Sequence, residues 1–339
     1  FLVEELKAIQ GNLPEITQYS GGQKARINKS AAKVLLAKVY LQRAAGHPPG
    51  VSSQGSDLSN AESLLREVMQ TGNYGLVEDY GSLFSNKSVN ERNKEAIFTV
   101  EHAKFSGQGT VVENWISPRN SNWGIGQWTA VTSNFDFYTS YNSGDERKEA
   151  SWITEYKDPD GVTRKFDPFN PEADNYQEDG ASLAKHTYRG GSNIGWTQGW
   201  RDWMHFRYAD VLLMLAETIN RQGGPTSEAY DLVDQVRTRA NAPNLTRGLN
   251  QAQFSDSLYH ERMWELSQEL HGWRDCQRFF EECKKLVENS ADRGVQDPDG
   301  VNRRPTTDIT IETPKHRLWP IPAPAMSRNP ALSQNEGYN

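Results

Sequence analysis

Ten tryptophans in 339 residues are a large supply of flat apolar surface, and they are unevenly placed. Trp115, Trp123, Trp128, Phe135, Phe137, Tyr138 and Tyr141 fall within 27 residues, and Trp196, Trp200 and Trp203 form a second group. Asn114, Ser117, Arg119, Asn120, Ser121 and Asn122 surround the first group with amides, hydroxyls and one guanidinium. A pyranose ring has an apolar C–H face and a polar hydroxyl rim. A flat aromatic removes the face from water, while Asn, Ser and Arg side chains answer the rim. These are the ingredients of a carbohydrate-binding surface. Trp115, Trp123 and Trp128 are its stacking candidates, Arg119 and Asn120 its hydroxyl partners, and Trp196 and Trp200 a second stacking set. The competing reading is packing, because aromatic side chains on loops also fill the space beneath those loops. For any single ring the sequence leaves both open.

Covalent chemistry is harder to find. Glycoside hydrolysis needs two carboxyls roughly 5–10 Å apart with one pKa raised, and nothing in the spacing of the 44 acidic residues singles out a pair. The chain has no Gly-x-Ser-x-Gly elbow, P-loop, dinucleotide fingerprint or His-Glu-x-x-His. The seven histidines are scattered; His102, in the strand candidate, and His205 and His271, at helix edges, read as structural. Arg207 and Asp210, three apart at the start of a helix, read as a local ion pair. Asp-Pro-Asp-Gly occurs at Asp158–Gly161 and again at Asp297–Gly300. Neither copy has the further oxygen ligands of a calcium loop, and Pro and Gly around Asp are the chemistry of a tight turn, so a surface hairpin is expected. Cys276 and Cys283 lie seven apart in a helical pattern. Along a continuous helix that is about 10.5 Å of rise, beyond disulfide reach, and no His or second Cys pair completes a zinc site. They are expected to be structural thiols.

A net charge of −7 with no Lys/Arg-rich block removes the electrostatic attraction that dominates nucleic-acid binding. No stretch approaches the ~20 apolar residues of a membrane-spanning helix.

The elements that must position the aromatic groups are helical at both ends of the chain. Ala31, Ala32, Leu35, Leu36, Val39 and Tyr40 recur at three-and-four spacing and predict an amphipathic helix over Lys24–Ala45. After the loop Gly46–Ser59, a second helix carries Ala61, Leu64, Leu65, Val68 and Met69 and stops at Gly72. The layout returns in Phe206–Ile219, the turn Gly223-Gly224-Pro225, and a helix bearing Ala229, Leu232, Val233 and Val236. Both pairs have the small-residue interlock of a tetratricopeptide unit. A further helix over Gln253–Leu270 is expected to turn Phe254, Leu258, Met263, Leu266 and Leu270 inward and an acidic face outward, and Arg274–Val287 continues the helical region. Between the pairs, roughly Tyr74–Trp203, only Glu95–Glu101 reads as a strand. So many Trp and Tyr argue against disorder there. The fold class is mainly α: tetratricopeptide-like helical hairpins packed against a large loop-rich segment with few short strands. We expect one domain, with a helical scaffold over 1–75 and 204–290, a loop-rich half over 76–203 and an irregular tail over 291–339.

Arg207-Tyr208-Ala209-Asp210-Val211-Leu212-Leu213-Met214-Leu215-Ala216-Glu217 resembles the signature helix of the SusD/RagB family of outer-membrane glycan-binding lipoproteins. In family order follow Val236-Arg237-Thr238-Arg239-Ala240, then Glu261-Arg262 through Glu265-Leu266-Ser267-Gln268-Glu269 with Trp273-Arg274-Asp275. The tail Leu318-Trp319-Pro320-Ile321-Pro322, Asn329-Pro330 and Gln334-Asn335 to Gly337-Tyr338 completes the series. Upstream, Ala31–Leu41, Tyr74-Gly75-Leu76, Glu95-Ala96-Ile97-Phe98 and Gly144-Asp145-Glu146-Arg147 also sit where the family has counterparts. The resemblance implies a surface-exposed outer-membrane protein, held by an N-terminal lipid and seated as a lid on a SusC-like TonB-dependent transporter. It captures oligosaccharide, or in some relatives peptide, for import, without hydrolysis and without metal or cofactor. It also implies that a signal peptide, the lipidated Cys and the first helices precede residue 1, so the sequence is expected to be an N-terminally truncated member. The matched motifs are scaffold and transfer no ligand contacts.

Two other readings compete. A tetratricopeptide adaptor binding a peptide or protein segment would expose its apolar residues on helix faces, whereas the glycan lid exposes them on the loop half. A glycosidase would set a close carboxylate pair at the floor of the aromatic cleft.

Overall fold

The computed structural model describes residues 1–85, 94–103, 108–123, 128–133, 135–167, 180–187, 199–291, 310–313 and 315–338. In chain order the helices are α1 (Leu2–Gln10), α2 (Lys29–Ala44), α3 (Asp57–Gln70), α4 (Ser82–Ser85), α5 (Val112–Ile116), α6 (Phe135–Thr139), α7 (Glu146–Ser151), α8 (Tyr208–Gly223), α9 (Ser227–Arg239), α10 (Gln251–Leu266), α11 (Gly272–Arg278), α12 (Phe280–Ala291) and α13 (Ala323–Arg328). The strands are β1 (Ala96–Val100), β2 (Trp152–Ile153), β3 (Glu155–Lys157), β4 (Thr163–Lys165), β5 (Ser182–Leu183) and β6 (Trp203–Arg207), paired antiparallel as β1–β6, β2–β5 and β3–β4. The architecture is mainly α with few short strands, as the sequence predicts.

The two helical hairpins, α2–α3 and α8–α9, stack through α3 against α8, and α10 packs on the other side of α8. Close approach is possible because Ala31, Ala37, Ala61, Ala209, Ala216 and Ala229 line the contacts and are buried. Residues Ala209 to Asn220 of α8 are all buried, so this helix is the axis of the core. A helix apolar on every side belongs in the interior. Its polar members therefore need partners: Asn220 exchanges hydrogen bonds with the backbone of Gln251 and with its side chain. Helix ends are closed by side chains the sequence supplies. Asn28 accepts from the Ala31 N–H at 3.0 Å to cap α2, and its amide donates to the Ile97 carbonyl at 2.9 Å, tying that cap to β1. Asn250 and Gln253 form a reciprocal capping box on α10.

The strand expected at Glu95–Glu101 is β1, but its partner β6 takes Phe206 out of the expected helix, which begins at Tyr208. His205 accordingly lies in a strand and His102 just beyond one. The first Asp-Pro-Asp-Gly is the β3–β4 turn: the Asp158 carboxylate accepts from the N–H groups of Asp160 and Val162 and from the Arg164 guanidinium. The second copy lies outside the described residues.

Three expectations fail for identifiable reasons. Arg207 and Asp210 do not pair with each other. Arg207 is buried against Glu95 (2.5 Å), Glu265 (2.9 Å) and Glu269 (2.6 Å), while Asp210 meets Lys38 at 2.5 Å and Arg262 at 2.8 Å. The acidic side of α10 faces inward: Glu261 and Glu265 are fully buried, whereas Leu270 is 63% exposed. The carboxylates are tolerated there because Arg147, Arg237 and Arg239 reach them from α7 and α9. Cys276 and Cys283 form a disulfide. The helix breaks at Phe279 (φ −105°, ψ 50°), between α11 and α12, which brings the two Cα atoms to 5.2 Å instead of the continuous-helix spacing.

Two outcomes follow. Reducing the disulfide should lower the unfolding free energy by about 2–3 kcal/mol for so short a loop, read as a lower denaturant midpoint. Two free thiols in the denatured, unreduced protein would show instead that the bridge does not form. The second concerns acid. Burial holds His186 and His271 at about 4, against 6.5 for a free imidazole. Burial pushes Glu269 up, but Arg207 and Lys185 outweigh it and leave the carboxyl at about 2. In both cases the unfolded chain binds more protons than the fold as pH drops, so stability is lost. The histidines act from about pH 6.5 down to about 4, and the carboxyls below about 4.5. The thermal midpoint measured by calorimetry should fall steadily between these limits, and a flat profile from pH 7 to pH 4 would contradict the burial described.

Candidate functional site

The helix α5 is one and a half turns long, yet it is sided. Val112 and Ile116, four apart, face a cluster with Tyr141, Trp152, Ala181 and Leu183, and Glu113 and Asn114 are also buried. Trp115 is left pointing outward, 42% exposed. The chain then turns at Pro118–Ser121, where Asn120 takes φ +57°, a left-handed conformation that Asn adopts readily. The returning segment is stitched back along α5. The Trp128 N–H donates to the Asn114 carbonyl at 3.1 Å, the Ala130 N–H to the Trp115 carbonyl at 2.7 Å, and the Thr129 N–H to the Ser117 carbonyl at 3.1 Å.

That register puts the second indole beside the first. Trp128 is 52% exposed and lies 6.4 Å from Trp115 between ring centroids, the planes within 17° of parallel. Two exposed indoles so arranged make an apolar ledge. Arg119 and Asn120 stand exposed at the turn between the two segments that carry it. The turn is braced: the Thr129 hydroxyl oxygen accepts from the Arg119 N–H at 2.5 Å, and the Tyr156 hydroxyl donates to the Arg119 carbonyl at 3.1 Å.

The remaining candidates are placed differently. Trp123 is half-buried, edge-on to the Tyr156 ring at 6.4 Å, and serves as much to hold the turn as to face outward. Trp200 is half-buried on a segment that meets the start of α5 through the Thr110–Gly199 bridge. Only glycine fits at 199, since a Cβ there would sit 2.6 Å from the Thr110 carbonyl oxygen. Trp196 lies outside the described residues. Phe137, Tyr141 and Trp152 are packed on one another beneath the ledge, the bland reading of loop aromatics realised alongside the exposed one. Thr129 and Tyr156 were not legible as supports, because neither residue type nor spacing tells which backbone group a hydroxyl meets.

A sequence model of the SusD family matches residues 94–338, nearly three quarters of the chain and most of the described motifs. The chain belongs to the SusD family. SusD-like protein P2 of Formosa agariphila is 26% identical over 354 aligned residues, covering 99% of this chain and 64% of that protein. The chain thus spans just under two thirds of that relative's length. Among solved structures, a SusD homolog from Bacteroides thetaiotaomicron superposes with a TM-score of 0.81 at 24% identity, over 99% of this chain and 69% of the other. A laminarin binding SusD-like protein superposes with a TM-score of 0.70 at 24% identity, over 99% and 68%. The charged members of three runs that resemble the family, Arg207, Asp210 and Glu217, Arg237 and Arg239, and Glu261, Arg262, Glu265 and Glu269, all have buried and ion-paired side chains.

Exposure separates the ledge from the rings under it energetically. Trp115→Ala and Trp128→Ala should each change stability by no more than about 0.5–1 kcal/mol, while Trp152→Ala, which empties a packed site, should cost about 3–5 kcal/mol. Chemical denaturation of the three variants checks this. Equal losses would mean that all three rings are core.

Proposed function

We propose that this chain is the glycan-holding part of a cell-surface SusD-type protein. The observation that carries the proposal is the near-parallel, outward-facing pair Trp115 and Trp128 on a SusD scaffold. A saccharide ring set on either indole gives up the hydration of its C–H face. Its hydroxyl rim then meets the Arg119 and Asn120 side chains at the adjoining turn. Trp123 supports this turn.

Binding without cleavage fits the electrostatics. A hydrolase needs a carboxyl raised above its ordinary range to act as an acid, and the buried scaffold carboxyls Asp210, Glu265, Glu269 and Asp275 cannot fill that role, because basic neighbours pull their pKa values down despite burial. The faces of the two hairpins favour a lid over an adaptor that binds in the hairpin groove: among the described residues of α2, α3, α8 and α9, Leu35 is the one large hydrophobe exposed, at 39%, although α1 and α11 expose Leu2, Ile9 and Trp273. The proposal extends to delivery of the captured oligosaccharide to a SusC-like TonB-dependent transporter and to anchoring at the outer membrane by a lipid, readings that family membership supports. The Cys276–Cys283 disulfide is at home in an exported protein.

Titrating intrinsic tryptophan fluorescence with maltohexaose, laminarihexaose, xylohexaose and cellohexaose tests the reading. At least one should bind, and Trp115→Ala with Trp128→Ala should weaken it about tenfold or more, as expected when a stacking contact is removed. Undiminished binding by that double variant would retire the ledge.

A further inference from the structure

A second opening lies in the helical half. A cleft of about 620 Å³ is lined by Tyr208 at the start of α8, Asp231, Gln235 and Thr238 on α9, and Asn244 and Arg247 beyond it, with Gly75 and Leu76 on the far wall. Its size falls in the roughly 300–1,000 Å³ range of small-molecule sites. Residues 231, 235 and 238 are four and three apart, so α9 presents them on one face.

The polar groups are set in place before any ligand arrives. Arg247 Nη2 meets Asp231 at 3.2 Å and Asp234 at 2.7 Å, and the guanidinium lies over the Tyr230 ring at 4.7 Å. Asp234 is fixed in turn by the Leu245 N–H at 2.7 Å, and Tyr230 by the Leu249 N–H at 2.8 Å. The Thr238 hydroxyl donates to Asn244 Oδ1 at 3.2 Å, which orients the Asn244 amide donors away from it. Among the described residues, the Nε and Nη1 groups of Arg247 and the Tyr208 hydroxyl have no hydrogen-bond partner within the protein, and the Arg247 side chain is 51% exposed. Donors and acceptors therefore alternate around one small space: guanidinium, carboxylate, amide and phenol.

We propose that this cleft is a separate binding site for a neutral, hydroxyl-rich ligand, a saccharide end or short oligosaccharide. Two carboxylates face one guanidinium and, beside Gly75, the Lys94 side chain, a balanced set of charges that gives an anion no excess of positive charge to bind. A cation would have to displace Arg247 from both Asp231 and Asp234. A sugar hydroxyl suits the site because it donates to a carboxylate and accepts from a guanidinium or amide at once. Leu76 and the Tyr208 ring give it limited apolar contact, too little for the side-chain pockets that select a peptide. The cleft is built on α8 and α9, so the proposal stands or falls apart from the Trp115–Trp128 ledge.

The test uses the full chain carrying Trp115→Ala and Trp128→Ala, which removes the ledge and leaves the cleft. Saturation-transfer NMR and calorimetry with the same four hexasaccharides should still detect a site. Adding Arg247→Ala, or Gln235→Ala with Tyr208→Phe, should each weaken it about tenfold, the effect of losing a charge-assisted or a pair of neutral hydrogen bonds. The second combination changes an exposed helix position and one hydroxyl, so it keeps the test decisive if the arginine variant folds poorly. Binding that is absent from the ledge variant, or unchanged by both sets of substitutions, overturns the cleft while leaving the ledge standing. Peptides from a tryptic digest of casein serve as the competing probe. Their capture at the cleft in place of the sugars also overturns the proposal.

Discussion

Burying a charge is costly unless it is paired, and this protein buries a web of charges at the junction of its two halves. Glu265 on α10 lies against Arg147 from α7, Arg207 from β6 and Arg239 from α9. Glu269 meets Arg207 and Lys185, Glu261 meets Arg147 and Arg237, and Glu95 meets Arg207 and Arg239. The partners come from the loop-rich middle, Glu95, Arg147 and Lys185, and from the second helical segment, Arg207 to Glu269. Any sliding of one element against another leaves a carboxylate or guanidinium unpaired in a dry interior, a loss of about 3–5 kcal/mol for a broken buried pair. We take the web to fix register more than to add stability, since apolar residues of the same volume could fill the space as well.

The ledge inherits its position from this junction. Trp264 belongs to α10, the helix that carries Glu261 and Glu265, but it faces the aromatic cluster of the loop half: its indole N–H donates to Ser140 at 2.9 Å and its ring lies 6.2 Å from Tyr141. Tyr141 and Ile116 share one cluster, and Ile116 anchors α5, from which Trp115 projects. A chain of contacts thus runs from the paired charges through Trp264 and Tyr141 to the exposed indoles. Among the described residues, the loop half has two-stranded sheets and helices of a few residues, elements too short to be stable alone. It holds its shape because side chains seat it on the helices.

Sequence patterns revealed the elements whose period is local. The helices of the two hairpins, β1 and the Asp158–Gly161 turn all follow from spacing or turn chemistry within a few residues. Partners separated by a hundred positions do not leave such a trace. Arg207 and Asp210 look like neighbours at i, i+3, yet each is drawn to a different helix, and the acidic stripe of α10 reads as solvated because the arginines that neutralise it are elsewhere in the chain. The cysteines show the same limit at short range: Phe279 carries no Gly or Pro to announce the break that lets them meet. In the candidate site, residue type marked Trp115 and Trp128 as platforms, but it marked Trp123 equally. Only the stitching of residues 128–130 onto 114–117 distinguishes an indole that faces water from one that props a turn.

The same division of labour explains why family resemblance and ligand choice come apart. Several of the residues through which the sequence resembles the family, Arg207, Asp210, Arg239, Glu261, Arg262, Glu265 and Glu269 among them, are physically constrained, because each is one end of a buried ion pair whose other end is also fixed. Trp115 and Trp128 are under no such constraint: they touch solvent on one side, and the backbone hydrogen bonds that align them involve no side chain of either ring. Another aromatic or a polar residue could stand at either position without unpairing a charge or emptying a core. A scaffold held by paired charges can therefore keep its shape while its outer surface is rewritten for a different polymer.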